Sequence, residues 1–256
     1  MCADKTDNVK TAGRTLDLFE VFARKRAPMS LSELAHEIGS PVSSTHALVR
    51  PLRARGFVYV LDDRRMIYPT KRILSVAERI AQNDPVVELA LPALTKLQRQ
   101  SDETVILGKR QQDHIVYLEV LESANSIRYS ARAGDTKPLH SSSIGKAMLS
   151  LVPESDLPAL LERIGQKRVT DQTITTPERL VADLAESRAS RTFVSRGENV
   201  ADVMGLATLV NIGNEAFGIS IVGPMPRLLA KEEPCRGYLD ELRQTFAELN
   251  RTALFA

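Results

Sequence analysis

Ser30-Leu31-Ser32-Glu33-Leu34-Ala35-His36-Glu37-Ile38-Gly39-Ser40-Pro41-Val42-Ser43-Ser44-Thr45-His46 is the stretch on which the fold of the first part of the chain turns. Ser30 and Glu33 have the spacing of a capping box, in which each side chain satisfies the other residue's free backbone N–H. Leu31, Leu34, Ala35 and Ile38 then recur at helical spacing, and Gly39 supplies the left-handed residue that ends a helix. Ser40-Pro41 reads as an immediate restart, with Ser at the N-cap and Pro at the first helical position. The next helix carries Val42, Ser43, Ser44 and His46 early and Leu48, Val49 and Leu52 later, with Pro51 expected to kink it after Arg50. Working outward, Leu16, Leu18, Phe19, Val21 and Phe22 mark a preceding helix over 11–23. After Gly56, Phe57–Val60 and Met66–Tyr68 read as two strands joined by a polar turn containing Arg64 and Arg65. Helix, capped helix, tight turn, capped helix and basic hairpin make a winged helix-turn-helix.

Charge sharpens this reading. The 256 residues hold 34 Lys+Arg against 32 Asp+Glu, a net of +2. Residues 1–75 hold 13 basic and 8 acidic residues, a net of +5, and residues 76–256 hold 21 and 24, a net of −3. A basic module on a larger acidic remainder is the electrostatic footprint of a nucleic-acid reader joined to a domain with another task. In such a module the exposed start of the third helix, Val42, Ser43, Ser44 and His46, meets base edges in the major groove. Ser30, Arg50, Arg53, Arg55, Arg64 and Arg65 then hold phosphates. A winged helix used only for protein contacts is the competing reading. His46 has no second ligand at i+3 or i+4, where a metal site needs one.

The remainder is long enough for a second core. Residues 72–83 read as a linker helix and 86–99 as a helix that takes Pro92 only as a kink or restart. Thr104–Leu107, Ile115–Leu118 and Ser126–Tyr129 read as an antiparallel meander. Helices follow over 143–152, 154–164 and from Thr176-Pro177 to about Ala189, then strands over 205–210 and 217–222. A last amphipathic helix over 227–251 is expected to break near Pro234. Cys2 and Cys235 are too few for a disulfide framework. No apolar run reaches the ~18 residues of a membrane span and no secretory signal is visible, so a cytoplasmic protein with no membrane contact is expected.

The run Leu139-His140-Ser141-Ser142-Ser143-Ile144-Gly145-Lys146-Ala147 lacks the glycine and hydroxyl of a phosphate-binding loop. Its Ser143-x-x-Lys146 spacing matches the nucleophile and base of one serine hydrolase class, though the supporting motifs of that class are missing. Hydroxyls leading into a helix also leave backbone N–H groups free for an anion, or simply cap the helix. In Gly218-Ile219-Ser220-Ile221-Val222 alternation turns Gly218, Ser220 and Val222 to one face. No catalytic constellation is interpretable, and a catalytic assignment, a metal and a cofactor are all expected to be absent.

Taken together, Gly13–Phe19, Leu31–Ala35, Leu139-His140 with Lys146–Leu149, and Gly218–Pro224, in this order and spacing, resemble an IclR-family transcriptional regulator over nearly the whole length. The resemblance implies an α+β chain: a winged helix-turn-helix over 8–71, a linker helix over 72–83, and a GAF-like effector-binding and oligomerisation domain over 84–256. It implies a homodimer or dimer of dimers on palindromic double-stranded operator DNA, controlled by a small carboxylate. The effector's carboxylate would meet the backbone amides of Ser143 and Ile144. Other implied pocket positions are Leu107, Tyr117, Tyr129, Leu139, Ser195, Met204, Gly205, Ser220 and Val222. Where many members have Gly-Ala this chain has Ser143-Ile144, and Val222 stands where many have a second serine, so an aromatic or partly hydrophobic acid is expected, with control of a catabolic operon.

Overall fold

A computed structural model describes residues 10–61 and 65–253. They fall into two compact units, Met1–Asp84 and Pro85–Ala256. In the first, α1 (Lys10–Lys25), α2 (Leu31–Glu37) and α3 (Val42–Ala54) are followed by the antiparallel pair β1 (Val58–Leu61) and β2 (Met66–Pro69), and by α4 (Arg72–Ala81). The apolar faces read from the sequence meet in one core of Leu18, Val21, Phe22, Met29, Leu34, Val49, Val58 and Ile67. Backbone bonds between Met29 and Ile67 add a third short arm to the hairpin. The phenol ring of Tyr68 packs edge-on against Phe22, which fixes the wing to α1. The expected strand start at Phe57 moves to Val58, and Pro69 is the last residue of β2 rather than its stop.

The capping box at α2 is complete. Ser30 Oγ accepts from Glu33 N, and Glu33 Oε2 accepts from Ser30 N at 2.7 Å, an arrangement worth about 1 kcal/mol. Ser40, in contrast, does not cap α3. Gly39 adopts φ +60°, its N–H reaches His36 O, and Ser40 N reaches Ala35 O, which is the paired bonding of a glycine-terminated helix end. The backbone of Ser40 is therefore consumed in closing α2. The N-cap position falls to Pro41, and Ser40 Oγ is buried without a hydrogen-bond partner among the described residues. Pro51 lies inside α3, which runs on to Ala54. The carbonyl it deprives of a donor, that of Ala47, lies at an exposed residue where water can serve.

The second unit is a six-stranded antiparallel sheet with helices on both faces. Its elements are α5 (Pro85–Ser101), β3 (Thr104–Gln111), β4 (His114–Leu121), β5 (Thr136–Pro138), α6 (Ser143–Leu149), α7 (Leu157–Ile164), α8 (Pro177–Ser190), β6 (Phe193–Arg196), β7 (Val203–Ile212), β8 (Glu215–Pro224), α9 (Met225–Ala230) and α10 (Glu232–Ala253). The strand order is β5-β4-β3-β8-β7-β6. Period-two alternation divides the interior in two. Ile106, Ile115, Ala207 and Val222 pack under α6, α7 and α8, while Val105, Leu107, Met204, Leu206, Ile219 and Ile221 pack under α5 and α10. Among the described residues no helix is long and apolar enough to cross a membrane.

Two expectations for this unit change. Residues 126–129 are not a strand. Ile127 is exposed, Thr104 Oγ1 donates to Tyr129 O, and Arg128 and Ser130 are tied to Glu122; β5 takes the third place in the meander. Pro92 lies inside a continuous α5, because the carbonyl it leaves without a donor, Glu88 O, belongs to an exposed residue. The break before the last helix falls at Lys231, not Pro234. Pro234 sits in the first turn of α10, where a missing N–H forfeits nothing.

Candidate functional site

In the first unit, burial separates the two sides of α3. Thr45, Leu48 and Val49 face the core. Val42, Ser43, His46 and Arg50 are exposed and Ser44 is half-buried. A groove between α3 and the hairpin is lined by His46, Arg50, Arg53 and Arg65 over an apolar base of Leu31, Val49, Val60 and Ile67. Among the described residues no ion pair engages Arg50, Arg53, Arg55 or Arg65, whereas Arg24 and Lys25 both pair with Glu37. Among the described residues, the arginines where α3 and the wing converge thus lack an acidic partner, while two basic residues in the last turn of α1 share Glu37. Ser30 sits at the capped start of α2, and Arg64 lies outside the described residues.

In the second unit, the site is built where α6 meets the middle of the sheet. All seven residues of α6 are buried, and glycines make room for them. A Cβ on Gly218 would lie 2.5 Å from Ile144 Cγ2, and one on Gly205 would lie 2.7 Å from Ser143 Oγ. Ser142 caps the helix by accepting from Gly145 N, which leaves the N–H groups of Ser143 and Ile144 without an acceptor inside the helix. Beside this end lies a cavity of about 30 Å³ lined by Tyr117, Tyr129, Ser142, Ser143, Ser195, Asn199, Val200, Val203, Gly205 and Val222. That is roughly one water molecule's share of liquid volume. Burial raises the Tyr117 phenol's pKa well above its usual range, so it stays protonated.

The structure thus brings Tyr117, Tyr129, Ser143, Ser195, Gly205 and Val222 around one cavity. Five other positions from the sequence are not in its wall. Leu107 and Met204 lie on the opposite face of the sheet, in the core under α5 and α10, because each is one residue out of phase with a cavity-side position. Ile144 is wedged against Gly108 and Gly218 rather than exposed to the cavity, and Leu139 is buried in the same core. Ser220 lies beneath the wall, its Oγ 2.8 Å from Ser143 Oγ and 3.1 Å from Leu206 O. Either hydroxyl can donate to the other, and Ser220 Oγ also has Leu206 O within reach as an acceptor. Lys146 takes no part in that chain: its ammonium is fully buried on Glu198 Oε1 at 2.6 Å, Val194 O at 3.0 Å and Asp183 Oδ2 at 3.0 Å. The nucleophile-and-base reading of Ser143 and Lys146 therefore has no geometry behind it.

Sequence reasoning missed Ser142, Asn199, Val200 and Val203 in the wall, and the partners of Lys146. Burial raises the Glu198 carboxyl above its usual pKa against the pull of Lys146. Its backbone carbonyl accepts from Thr173 Oγ1 and Thr170 Oγ1, and Thr170 Oγ1 also donates to Gly197 O. The segment carrying Asn199 and Val200 is thus held at its start, through Gly197 and Glu198, while Val200 itself is exposed.

Residues 78–251 match the family model described as bacterial transcriptional regulator IclR C-terminal, and residues 11–62 match the IclR helix-turn-helix domain. The chain belongs to the IclR family. The transcriptional repressor IclR of Escherichia coli K12 is 30% identical over 230 residues, 88% of this chain and 84% of that one. The solved Thermotoga maritima IclR superposes with a TM-score of 0.74 at 25% identity, over 96% of this chain and 99% of that one. An IclR homologue from Microbacterium hydrocarbonoxydans, complexed with 4-hydroxybenzoate, superposes with a TM-score of 0.69 at 23% identity, covering 91% and 99%. The matched IclR families and relatives are regulators of transcription, not enzymes.

Proposed function

We propose that this IclR-family regulator reads a palindromic operator through α3 and the wing as a homodimer or dimer of dimers, and that a small organic acid bound at the Ser143 cavity sets its operator affinity. The observation that carries the reading is the convergence of Tyr117, Tyr129, Ser143, Ser195, Gly205 and Val222 on one cavity at the start of α6. The acid's carboxylate would take the unused N–H groups of Ser143 and Ile144. Its body would lie against Tyr117, Tyr129, Val200, Val203 and Val222, a wall that favours an aromatic or partly hydrophobic acid over a small polar one, and hence control of a catabolic operon. The apolar preference rests on those side chains and not on Ile144, which points into the sheet.

A cavity of about 30 Å³ is far smaller than the 300–1,000 Å³, roughly, of an ordinary small-molecule pocket. The wall must therefore move, and the exposed stretch at Val200 is the part with least packed against it. Such opening gives the acid a differential affinity for two states of the domain, which regulation requires. Coupling of about 1–3 kcal/mol would change operator affinity about 5- to 150-fold. Ile73, Leu74 and Ile80 are exposed on α4, which has no buried residue; this apolar side supports pairing with a second copy, with two α3 helices entering successive major grooves.

Fluorescence anisotropy on the DNA upstream of the chain's own gene tests the reading. The logarithm of affinity should fall linearly with the logarithm of salt concentration, and Arg50→Ala should lower that slope by about one phosphate contact. Addition of 4-hydroxybenzoate should shift the wild-type isotherm more than pyruvate does. No binding even at low salt would sink the DNA-reading assignment. Binding indifferent to a panel of aromatic and aliphatic acids would sink the effector assignment alone.

A further inference from the structure

A second recess, of about 180 Å³, opens at the edge of the sheet in the second unit, apart from the Ser143 cavity. β6 pairs with β7 only as far as Phe193↔Ala207, while β7 continues to Ile212. From Thr208 onward, β7 therefore lacks a β6 neighbour. Into this notch α8 delivers Arg188 from its last turn and Arg191 from its C-cap. Arg243 arrives from α10, on the other face of the sheet. Phe193 and Leu209 form an apolar floor, and Ser150 and Thr208 complete the wall.

Two of the three guanidiniums have a carboxylate partner and the third, that of Arg191, has none among the described residues. Arg188 pairs with Glu154 Oε1 at 3.0 Å, a carboxylate 83% exposed, and donates to Ser150 O. Arg243 donates to Thr208 Oγ1 at 2.8 Å and Arg191 O at 3.2 Å and pairs with Asp240. Among the described residues no ion pair or side-chain hydrogen bond engages the Arg191 guanidinium. The attraction of a helix C-terminus for cations accounts for Arg188 and Arg191. Arg243 reaches the same helix end from the opposite face, donating to the C-cap carbonyl Arg191 O, and it sits there partly desolvated and beside a like charge. Burial, and after it the charge of Arg191, lowers the proton affinity of Arg243, which is the cost of that placement.

We propose that this recess binds a phosphate-bearing small molecule, at a site distinct from the effector cavity. Planar guanidinium forks match tetrahedral oxyanions bidentately. Three converging forks suit a dianion better than a single carboxylate, and the Phe193 and Leu209 floor suits a short apolar or ring substituent on the ester. Because Arg188, Arg191 and Arg243 join α8 to α10 across the sheet edge, an anion held between them stabilises the native domain by mass action.

The test uses the full chain with inorganic phosphate and phenyl phosphate as probes, with sodium chloride at matched ionic strength as the reference. Thermal unfolding should shift upward saturably with both probes, and phenyl phosphate should saturate at the lower concentration. Arg191→Gln, which removes no side-chain bond among the described residues, should weaken both by about tenfold, the value of one charge-assisted contact. Arg50→Ala should leave the shift in place, which separates the recess from the DNA-reading face. No shift beyond that of chloride, or equal affinity in Arg191→Gln, would overturn the proposal. A change of oligomeric state in Arg191→Gln without any phosphate effect would also overturn it, assigning the arginines to a carboxylate of a second copy.

Discussion

Lys146→Met is expected to destabilise the effector domain by about 3–5 kcal/mol, the usual cost of removing one partner from a buried ion pair. The ammonium is fully buried, and its loss leaves the buried Glu198 carboxylate without its cation and beside the partly exposed Asp183. The pH dependence distinguishes this cause from lost packing. Glu198 already titrates above the usual carboxylate range because burial outweighs Lys146. Without the lysine its pKa rises further. A carboxyl raised in the native state is penalised while ionised, and the penalty is relieved as pH falls through the folded pKa. Urea unfolding should therefore give a wild-type-to-variant gap that narrows from pH 8 to pH 5. A gap of the same size at both pH values would rule out the electrostatic cause. Adding Glu198→Leu to Lys146→Met removes both charges of the closest pair and should recover much of the loss.

The other large effect is expected at Gly145. A Cβ there would lie 2.3 Å from Leu139 O and 2.6 Å from both Leu139 Cα and Ser142 Oγ. The first two are backbone atoms of the chain entering α6, so no side-chain rotation relieves the clash. The third is the cap of the helix, which accepts from Gly145 N itself. Gly145→Ala should therefore cost overpacking of about 1–3 kcal/mol plus the cap, about 1 kcal/mol more. It should also displace the N–H groups of Ser143 and Ile144, so that any acid-induced thermal shift is lost. Gly237→Ala is the control: it lies on the exposed side of α10 with nothing within 4 Å of the new methyl. That change should stabilise by about 0.5–1 kcal/mol. A Gly145→Ala protein as stable as wild type would mean that α6 can slide away from Leu139, against the packing seen here.

The DNA-reading unit was the more legible of the two because its signals are local. A capping box, a glycine-terminated helix end and a two-strand hairpin each lie within a few residues; the structure differs at Ser40, whose backbone the end of α2 claims before α3 can, and by a residue at the bounds of the two strands. The candidate site in the second unit depends on which face of a strand each residue occupies across a six-stranded sheet. Alternation within β8 was readable from Gly218-Ile219-Ser220, but the phases of Leu107 and Met204 depend on pairing with distant strands. Asn199, Val200 and Val203 lie on a turn and strand start with no motif of their own. One signal was available and unused: Lys146 is the only charge in the run Ile144–Leu149, and a lone charge in an otherwise apolar helix requires a buried partner.

The chain contains no tryptophan and five tyrosines, and two of those five, Tyr117 and Tyr129, line the Ser143 cavity. Its near-ultraviolet emission therefore comes from phenol side chains alone, and a large share of it originates at the wall that an incoming acid would touch. The unlabelled protein carries its own optical gauge of occupancy, and a single tryptophan placed on the wing would add a second colour that reports the DNA end separately.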